Sequence, residues 1–146
     1  MSCINLICVL SLLGCTIEIN ETGTTLRYKP GILIGGKLSH DCGQSRSIGW
    51  FLEGILPLAS LCKSALQLSL TGITNDSMDL SVDTFRLVTL PILRNFGIEG
   101  ANIVVKRRGC APKGGGLVEF YCPTVRSLKV VHIIHSGQVK NCFLLA

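Results

Sequence analysis

The residues best suited to chemistry lie in one short basic and glycine-rich stretch. Four cations, Lys106, Arg107, Arg108 and Lys113, fall within eight residues, and three consecutive glycines follow at 114–116. Glycine has no Cβ, so backbone N–H groups can approach a ligand closely, and neighbouring cations favour an anion such as phosphate. The alternative interpretation is a hairpin loop whose charges are simply solvated.

Apolar runs at residues 103–105 and 117–121 flank this stretch and predict two strands joined by a basic turn. Side chains alternate along a strand, so Lys106 and Arg108 are expected on one face, together with the turn and Lys113. Arg46, near the predicted start of a helix, is a weaker candidate for the same phosphate-binding set. The predicted RNA- or phosphate-binding residues are Arg46, Lys106, Arg108, Lys113, Gly114, Gly115 and Gly116.

Composition indicates a folded, mildly basic chain. The 146 residues are 47% hydrophobic and 16% charged, which is too apolar for disorder, and the net charge of +5 suits an anionic partner such as RNA. The length fits one domain or a piece of a larger one. Aromatic residues are sparse: Tyr28, Trp50 and Tyr121 form no base-stacking series, so sequence-specific reading of single strands is not supported.

Eight cysteines occur, but no C-x-x-C pair does, and the three histidines lack zinc-finger spacing. We therefore expect no metal site and reduced thiols in a cytosolic or nuclear compartment. An apolar run at residues 4–13 resembles a signal peptide, yet no Lys or Arg precedes Arg27, and the run is too short to span a bilayer. A buried helix is the preferred interpretation, with no membrane association.

No arrangement of residues predicts catalysis. Four aspartates lie near one another in the pattern, and helix capping explains Asp41 and Asp79 without a catalytic role. His132 and His135 fit ordinary strand positions. No spacing suggests a Ser-His-Asp triad, so we expect no catalytic residue, no metal and no cofactor. The four aspartates are Asp41, Asp76, Asp79 and Asp83.

Hydrophobic periodicity predicts the elements that position the basic turn. A helix over residues 4–13 precedes two strands at 16–20 and 24–28. A second helix, capped by Asp41 or Ser45, runs to about Leu56, and residues 66–70 form a strand. The next helix is capped by Asp79 or Ser81, bends at Pro91 and ends at Gly97. The inward residues of the second helix are Ile48, Phe51, Leu52 and Ile55, and those of the next are Val82, Phe85, Val88, Ile92, Leu93 and Phe96.

This order predicts an α+β fold with helices packed on one face of a mixed sheet. The first three elements match the last three in kind, which suggests a repeated βαβαββ unit with about one and a half repeats present. Residues 1–30 would be the second half of a first repeat and residues 31–125 a second repeat. Residues 126–146 would begin a further element with a divergent tail.

Three runs together resemble the RNA 3'-terminal phosphate cyclase family. Residues 108–116 read R-G-x-x-P-x-G-G-G followed by an aliphatic pair, which is similar to the family signature. The other two runs are residues 17–26 and a set formed by 75–76, 81–83, 90–91 and 96–97. The resemblance covers residues 5 to 135 approximately and implies the family's βαβαββ repeat.

The segment that follows Gly35-Gly36, residues 37–42, resembles the cyclase-like branch rather than the Thr-Ala-Asp-rich segment of true cyclases. That resemblance implies a nucleolar, non-catalytic factor of small-subunit ribosome biogenesis. It would act in pre-ribosomal RNA cleavage and bind pre-ribosomal RNA, a nucleolar GTPase and other small-subunit processome proteins. The alternative is an ATP-dependent cyclase, or an inactive fragment of one.

Several departures from the family pattern bear on activity. The cyclase nucleophile is a histidine in the C-terminal part of the family's chain, and no segment here corresponds to it. The family's smaller inserted domain and its N-terminal glycine-rich strand and loop are also absent. Residues beyond about 135 show no resemblance to the family pattern, so the last ten residues are expected to come from an alternative exon or a gene-model error. The sequence leaves open whether the chain is a splice variant, a truncated gene model or a folded functional product.

Overall fold

Four strands form the sheet that carries the basic turn. The computed structural model describes residues 14–132 and residue 134. Within them, a separate hairpin, β1 and β2, precedes an alternation of strands and helices that ends in β5 and β6. The strands are β1 (Thr16–Ile19), β2 (Leu26–Lys29), β3 (Gly36–Asp41), β4 (Leu66–Gly72), β5 (Asn102–Arg107) and β6 (Gly116–Cys122). Helix α1 is Ile48–Ala59, and helix α2 consists of Val82–Thr84, a π-helical turn at Phe85–Thr89 and Leu90–Asn95.

The strand order in the sheet is β3-β4-β6-β5, with β3 parallel to β4 and the other neighbours antiparallel. The predicted α+β class is confirmed, and β3 to β6 with the two helices give the predicted order β-α-β-α-β-β. The division into one and a half repeats, including the boundaries at 30 and 125, stays a prediction. The helix predicted over residues 4–13, and His135, lie outside the described residues.

Alternation along the central strands builds the core. Leu66, Leu68 and Leu70 of β4 face inward beside Val118 and Phe120 of β6, and none of the five is more than 2% exposed. The predicted inward face of α1 is confirmed, because all four of its predicted residues are completely buried against them. Burying one such aliphatic or aromatic side chain contributes about 1.5–3 kcal/mol, so this layer dominates the stability of the fold.

The predicted start of α1 is wrong. Residues 36–41 form strand β3 and the helix begins at Ile48, so neither Asp41 nor Ser45 caps it. Pairing of β3 with β4, which sets His40 opposite Leu70, overrides the local helix signal. The helix also continues past its predicted end to Ala59. Pro57 is tolerated because it is exposed on the same side as Glu53, whose freed carbonyl can meet water.

The predicted cap of helix α2 is confirmed for Ser81, because the Ser81 hydroxyl accepts a hydrogen bond from Thr84 N–H at 3.1 Å. The predicted apolar stripe is only partly correct: Val82 and Phe85 are buried, whereas Val88 and Ile92 are 51% and 46% exposed. Phe96 is 37% exposed and Leu93 packs partly against the core. A π turn inserts an extra residue, which rotates the following face and buries Leu90 instead. No described helix is long and apolar enough to cross a bilayer.

The two helix starts provide a matched test of capping. Ser81→Ala removes a side-chain cap and should lower the free energy of unfolding by about 1 kcal/mol. Ser47 stands at the same position before α1, makes no side-chain cap bond, and its buried hydroxyl has no hydrogen-bond partner within the described part of the chain. Ser47→Ala should therefore be neutral or slightly stabilising. Urea denaturation of both variants measures this, and an equal loss in the two would contradict the assignment.

Candidate nucleic-acid interface

The turn between β5 and β6 is packed directly against the carboxyl end of β4. A Cβ on Gly109 would lie 2.5 Å from the carbonyl oxygen of Gly72, and one on Gly116 would lie 2.7 Å from that oxygen. Real Cβ atoms do not approach backbone so closely, so only glycine fits at both positions. Gly114 and Gly115 adopt φ values of +65° and +79°, which glycine alone tolerates without strain. The glycines of the signature therefore serve close packing and the reversal of the chain.

A buried threonine, which the sequence pattern did not single out, holds this turn in place. Thr74 is 1% exposed, and its backbone N–H and hydroxyl donate to the Gly109 carbonyl at 2.9 and 3.0 Å. The Gly109 N–H donates back to the Thr74 hydroxyl at 3.2 Å. The polar atoms of both residues are thus satisfied inside the protein, which fixes the turn against the loop after β4.

Both predicted arginines already have carboxylate partners at the start of α2. Arg108 makes a two-pronged ion pair with Asp83, at 2.6 and 3.0 Å. Arg46 Nε lies 3.1 and 3.0 Å from the carboxylate oxygens of Asp79, Arg46 Nη2 also donates to that carboxylate, and the guanidinium stacks over Trp50 at 5.0 Å. The arginines hold the pKa values of both aspartates below the usual range, because the bonds favour the ionised carboxylates.

The expectation that Lys106 and Arg108 share one face is wrong. Lys106 pairs with Glu119 at 3.3 Å on the outer face of the sheet, whereas Arg108 reaches α2 on the opposite side. A bulge between Val105 and Arg107 shifts the register against β6 and breaks the alternation. The third cation, Arg107, bonds within the turn itself, since its Nε donates to the carbonyl of Gly115 at 2.6 Å.

One cleft brings together two of the seven predicted site residues, Lys113 and Gly115. The cleft has a volume of about 270 Å³ and opens at the carboxyl ends of the parallel strands β3 and β4, the common place for ligands in sheets with parallel strands. No described residue forms an ion pair with Lys113. We call this the Lys113 cleft, and its lining residues are Asp41, Gly43, Gln44, Thr71, Gly72, Lys113 and Gly115.

The lining of the Lys113 cleft mixes charge and hydrogen-bonding groups. The Lys113 ammonium and the Gln44 amide can donate to a phosphate oxygen, and the Thr71 hydroxyl can donate or accept. The Asp41 carboxylate would repel a bare anion but can accept a bond from a hydroxyl or amino group. The combination suits a ligand that carries both a phosphate and hydroxyl groups, as a nucleotide does.

The two described histidines do not line this cleft. His40 lies against Phe51 with ring centroids 5.6 Å apart, its Nε2 has no hydrogen-bond partner among the described residues, and burial lowers its pKa. His132 is exposed. Within residues 14–132, no group of three His, Cys, Asp or Glu side chains is arranged to hold a metal ion.

Sequence comparison identifies the class of protein to which this chain belongs. The family model described as RNA 3'-terminal phosphate cyclase matches residues 1–143, so the expectation that residues beyond about 135 match nothing in the family is wrong. The chain belongs to this family.

Among its relatives, the RNA 3'-terminal phosphate cyclase-like protein of Homo sapiens is 47% identical over 130 residues, covering 88% of this chain and 35% of its own. The probable cyclase-like protein of Dictyostelium discoideum is 49% identical with the same coverage. The rRNA processing protein rcl1 of Schizosaccharomyces pombe is 41% identical over 86% of this chain and 36% of its own. The chain spans about a third of the length of these curated relatives.

A solved structure of EPSP synthase from Acinetobacter baumannii matches with a TM-score of 0.37 and 14% identity, over 88% of this chain and 41% of the other. A likeness of that degree supports no conclusion about the fold or the function of this chain.

The Asp79–Arg46 pair predicts a pH-dependent stability difference. A carboxylate whose pKa is lowered by folding stabilises the protein above its unfolded value near 3.9, and this contribution is lost as the pH falls through the folded pKa. Asp79→Asn should therefore be less stable than the wild type at pH 7, and the difference should shrink as the pH falls below about 4. Urea unfolding at a series of pH values measures this.

Arg46→Met provides the matched variant, because it removes the cause of the lowered pKa while leaving the carboxylate. It too should differ least from the wild type at low pH, and adding Asp79→Asn to it should cost less than Asp79→Asn alone. A stability difference that stays constant from pH 7 to pH 3 would show that Asp79 is not held ionised by Arg46.

Proposed function

We propose that this chain acts in ribosome biogenesis as a non-catalytic, cyclase-like member of its family. In this proposal it takes part in small-subunit pre-ribosomal RNA processing in the nucleolus. The observation that carries the proposal is the set of relatives that are 41–49% identical, which are named cyclase-like or, in one case, rRNA processing protein. The segment at residues 37–42, which resembles the cyclase-like branch, supports the same choice.

The Lys113 cleft is the proposed contact with pre-ribosomal RNA. Lys113 is the one cation of the basic turn that lines this cleft, and both arginines of the predicted set are paired with aspartates. The net charge of +5 favours approach to a polyanion. A nucleolar GTPase and other processome proteins are the proposed protein partners, on the strength of the family resemblance alone.

The non-catalytic part of the proposal rests on the described histidines. A histidine that accepts AMP must meet the phosphate of a bound nucleotide. His40 packs inside against Phe51, and His132 carries no carboxylate partner among the described residues that would orient its ring. The family description itself keeps a cyclase as the second candidate.

A direct assay separates the two candidates. Incubating the chain with radiolabelled ATP and a 3'-phosphorylated RNA should give no covalent AMP on the protein and no 2',3'-cyclic end on the RNA. A family member with demonstrated cyclase activity serves as the positive control. Appearance of either product would overturn the non-catalytic assignment while leaving family membership intact.

Lys113→Gln tests the cleft. Removing one phosphate contact should weaken RNA binding and lower the slope of log K against log salt by about 0.7–0.9. Fluorescence anisotropy between 50 and 200 mM salt measures this. Lys129→Gln is the matched control, because Lys129 is exposed and pairs with Glu99. Its backbone N–H donates to the carbonyl of Phe96, just after the C-terminal end of α2. Equal effects of the two substitutions would mean that Lys113 contributes only overall charge.

A further inference from the structure

The outer face of the four-stranded sheet forms a shallow groove of about 570 Å³, which helices α1 and α2 leave uncovered. The strand register arranges its side chains in rows that cross all four strands. The first row is Lys37, Gln67, Tyr121 and Asn102, and the second is Ser39, Ser69, Glu119 and Val104. Neighbouring strands lie about 4.8 Å apart, so each row spans about 14 Å.

The first row has the groups that recognise a nucleotide. Tyr121 is 39% exposed on the central strand β6 and offers one face on which a base can stack. The amides of Gln67 and Asn102 stand directly across from it on the two neighbouring strands and can bond a base edge. Lys37, at the outer end of the row, can meet a phosphate.

The second row carries little net charge that would repel a nucleic acid. Glu119 is its one acid, and Lys106 holds that carboxylate at 3.3 Å from its ammonium group. The other members offer two hydroxyls and one aliphatic side chain. Hydrogen-bonding side chains therefore make up most of both rows, and they can meet the phosphate, ribose and base edges of a nucleic acid.

The groove adjoins the Lys113 cleft along β3 and β4, where Ser39 and Ser69 of the groove lie two residues from Asp41 and Thr71 of the cleft. A third row begins with Asp41 and Thr71, which stand opposite each other on β3 and β4 and also line that cleft. Four residues along a strand separate this row from the first, a distance of about 13 Å. A chain lying along β4 would therefore pass from the cleft to Tyr121 over a few nucleotides.

We propose that this sheet face binds single-stranded RNA as an extension of the Lys113 cleft, with one base stacked on Tyr121 and a phosphate at Lys37. The proposal rests on the proposed function for the presence of RNA in the cleft, and it adds the class of RNA. Single strands are required because the bases of a duplex are already stacked on each other. One aromatic platform supports binding without a long sequence-specific series, in keeping with the sparse aromatic residues of the chain.

Binding of a fluorescein-labelled eight-nucleotide RNA to the full chain tests the proposal by anisotropy. Tyr121→Ala should weaken binding by about 5- to 100-fold, whereas Tyr121→Phe keeps the ring and should bind as the wild type does. Lys37→Gln should lower the salt dependence, and a duplex of the same sequence should compete poorly. Tyr28→Ala is the matched control, since Tyr28 is 50% exposed on the separate β1–β2 hairpin.

The outcomes separate this proposal from the proposed function. If Tyr121→Ala binds RNA as tightly as the wild type while Lys113→Gln binds it more weakly, the sheet face does not bind RNA and the cleft alone does. If Tyr121→Phe loses affinity for RNA as Tyr121→Ala does, the proposed stacking of a base on the Tyr121 ring is wrong. If the duplex competes as well as the single strand, the chosen class of RNA is wrong. If the wild type binds neither RNA, the proposed function fails together with this extension.

Discussion

The structure depends on the close approach of the β5–β6 turn to the end of β4. Gly109 and Gly116 meet the backbone of Gly72 at distances that exclude a Cβ, and Thr74 closes the contact with three hydrogen bonds. This contact aligns the antiparallel pair β4–β6 with the parallel pair β3–β4. The carboxyl ends of two strands and the basic turn therefore meet at one edge of the sheet, and the Lys113 cleft is the space left between them.

Two ion pairs extend this arrangement to the helices. Arg108 ties the turn to Asp83 in the first turn of α2, and Arg46 ties the loop before α1 to Asp79 just ahead of α2. Asp79 also accepts the backbone N–H of Ser47, so one carboxylate supports two loops. The arginine charges are used within the fold, which leaves less positive charge for a ligand than a count of basic residues suggests.

Sequence patterns captured the features that depend on local order. Strict alternation in residues 66–70 and the 3.6-residue period of α1 identify their buried faces, because each element meets one continuous core. They could not place β3, whose strand state comes from pairing with β4 some thirty residues away. The bulge after Val105 and the π turn in α2 each insert one residue into a periodic element. Neither insertion has a distinctive sequence, yet each redirects the side chains that follow it, which is why Arg108 and Val88 lie on faces that periodicity did not predict.

The close packing of the β5–β6 turn also affects how the Lys113 cleft would bind a ligand. Gly114 and Gly115 reverse the chain in conformations that cost other residues free energy. Hydrogen bonds from Gly114 N–H to the Cys110 carbonyl and from Arg107 to the Gly115 carbonyl already hold them in place. A ligand entering the cleft therefore needs to order little more than the Lys113 and Gln44 side chains, at about 0.5–1.5 kcal/mol each. A single cation with a few hydrogen-bond donors gives weak binding in water, because exposed charges are screened. The rigidity of the turn limits the entropic cost of binding, and a second contact surface along the sheet would supply the affinity that one cleft lacks.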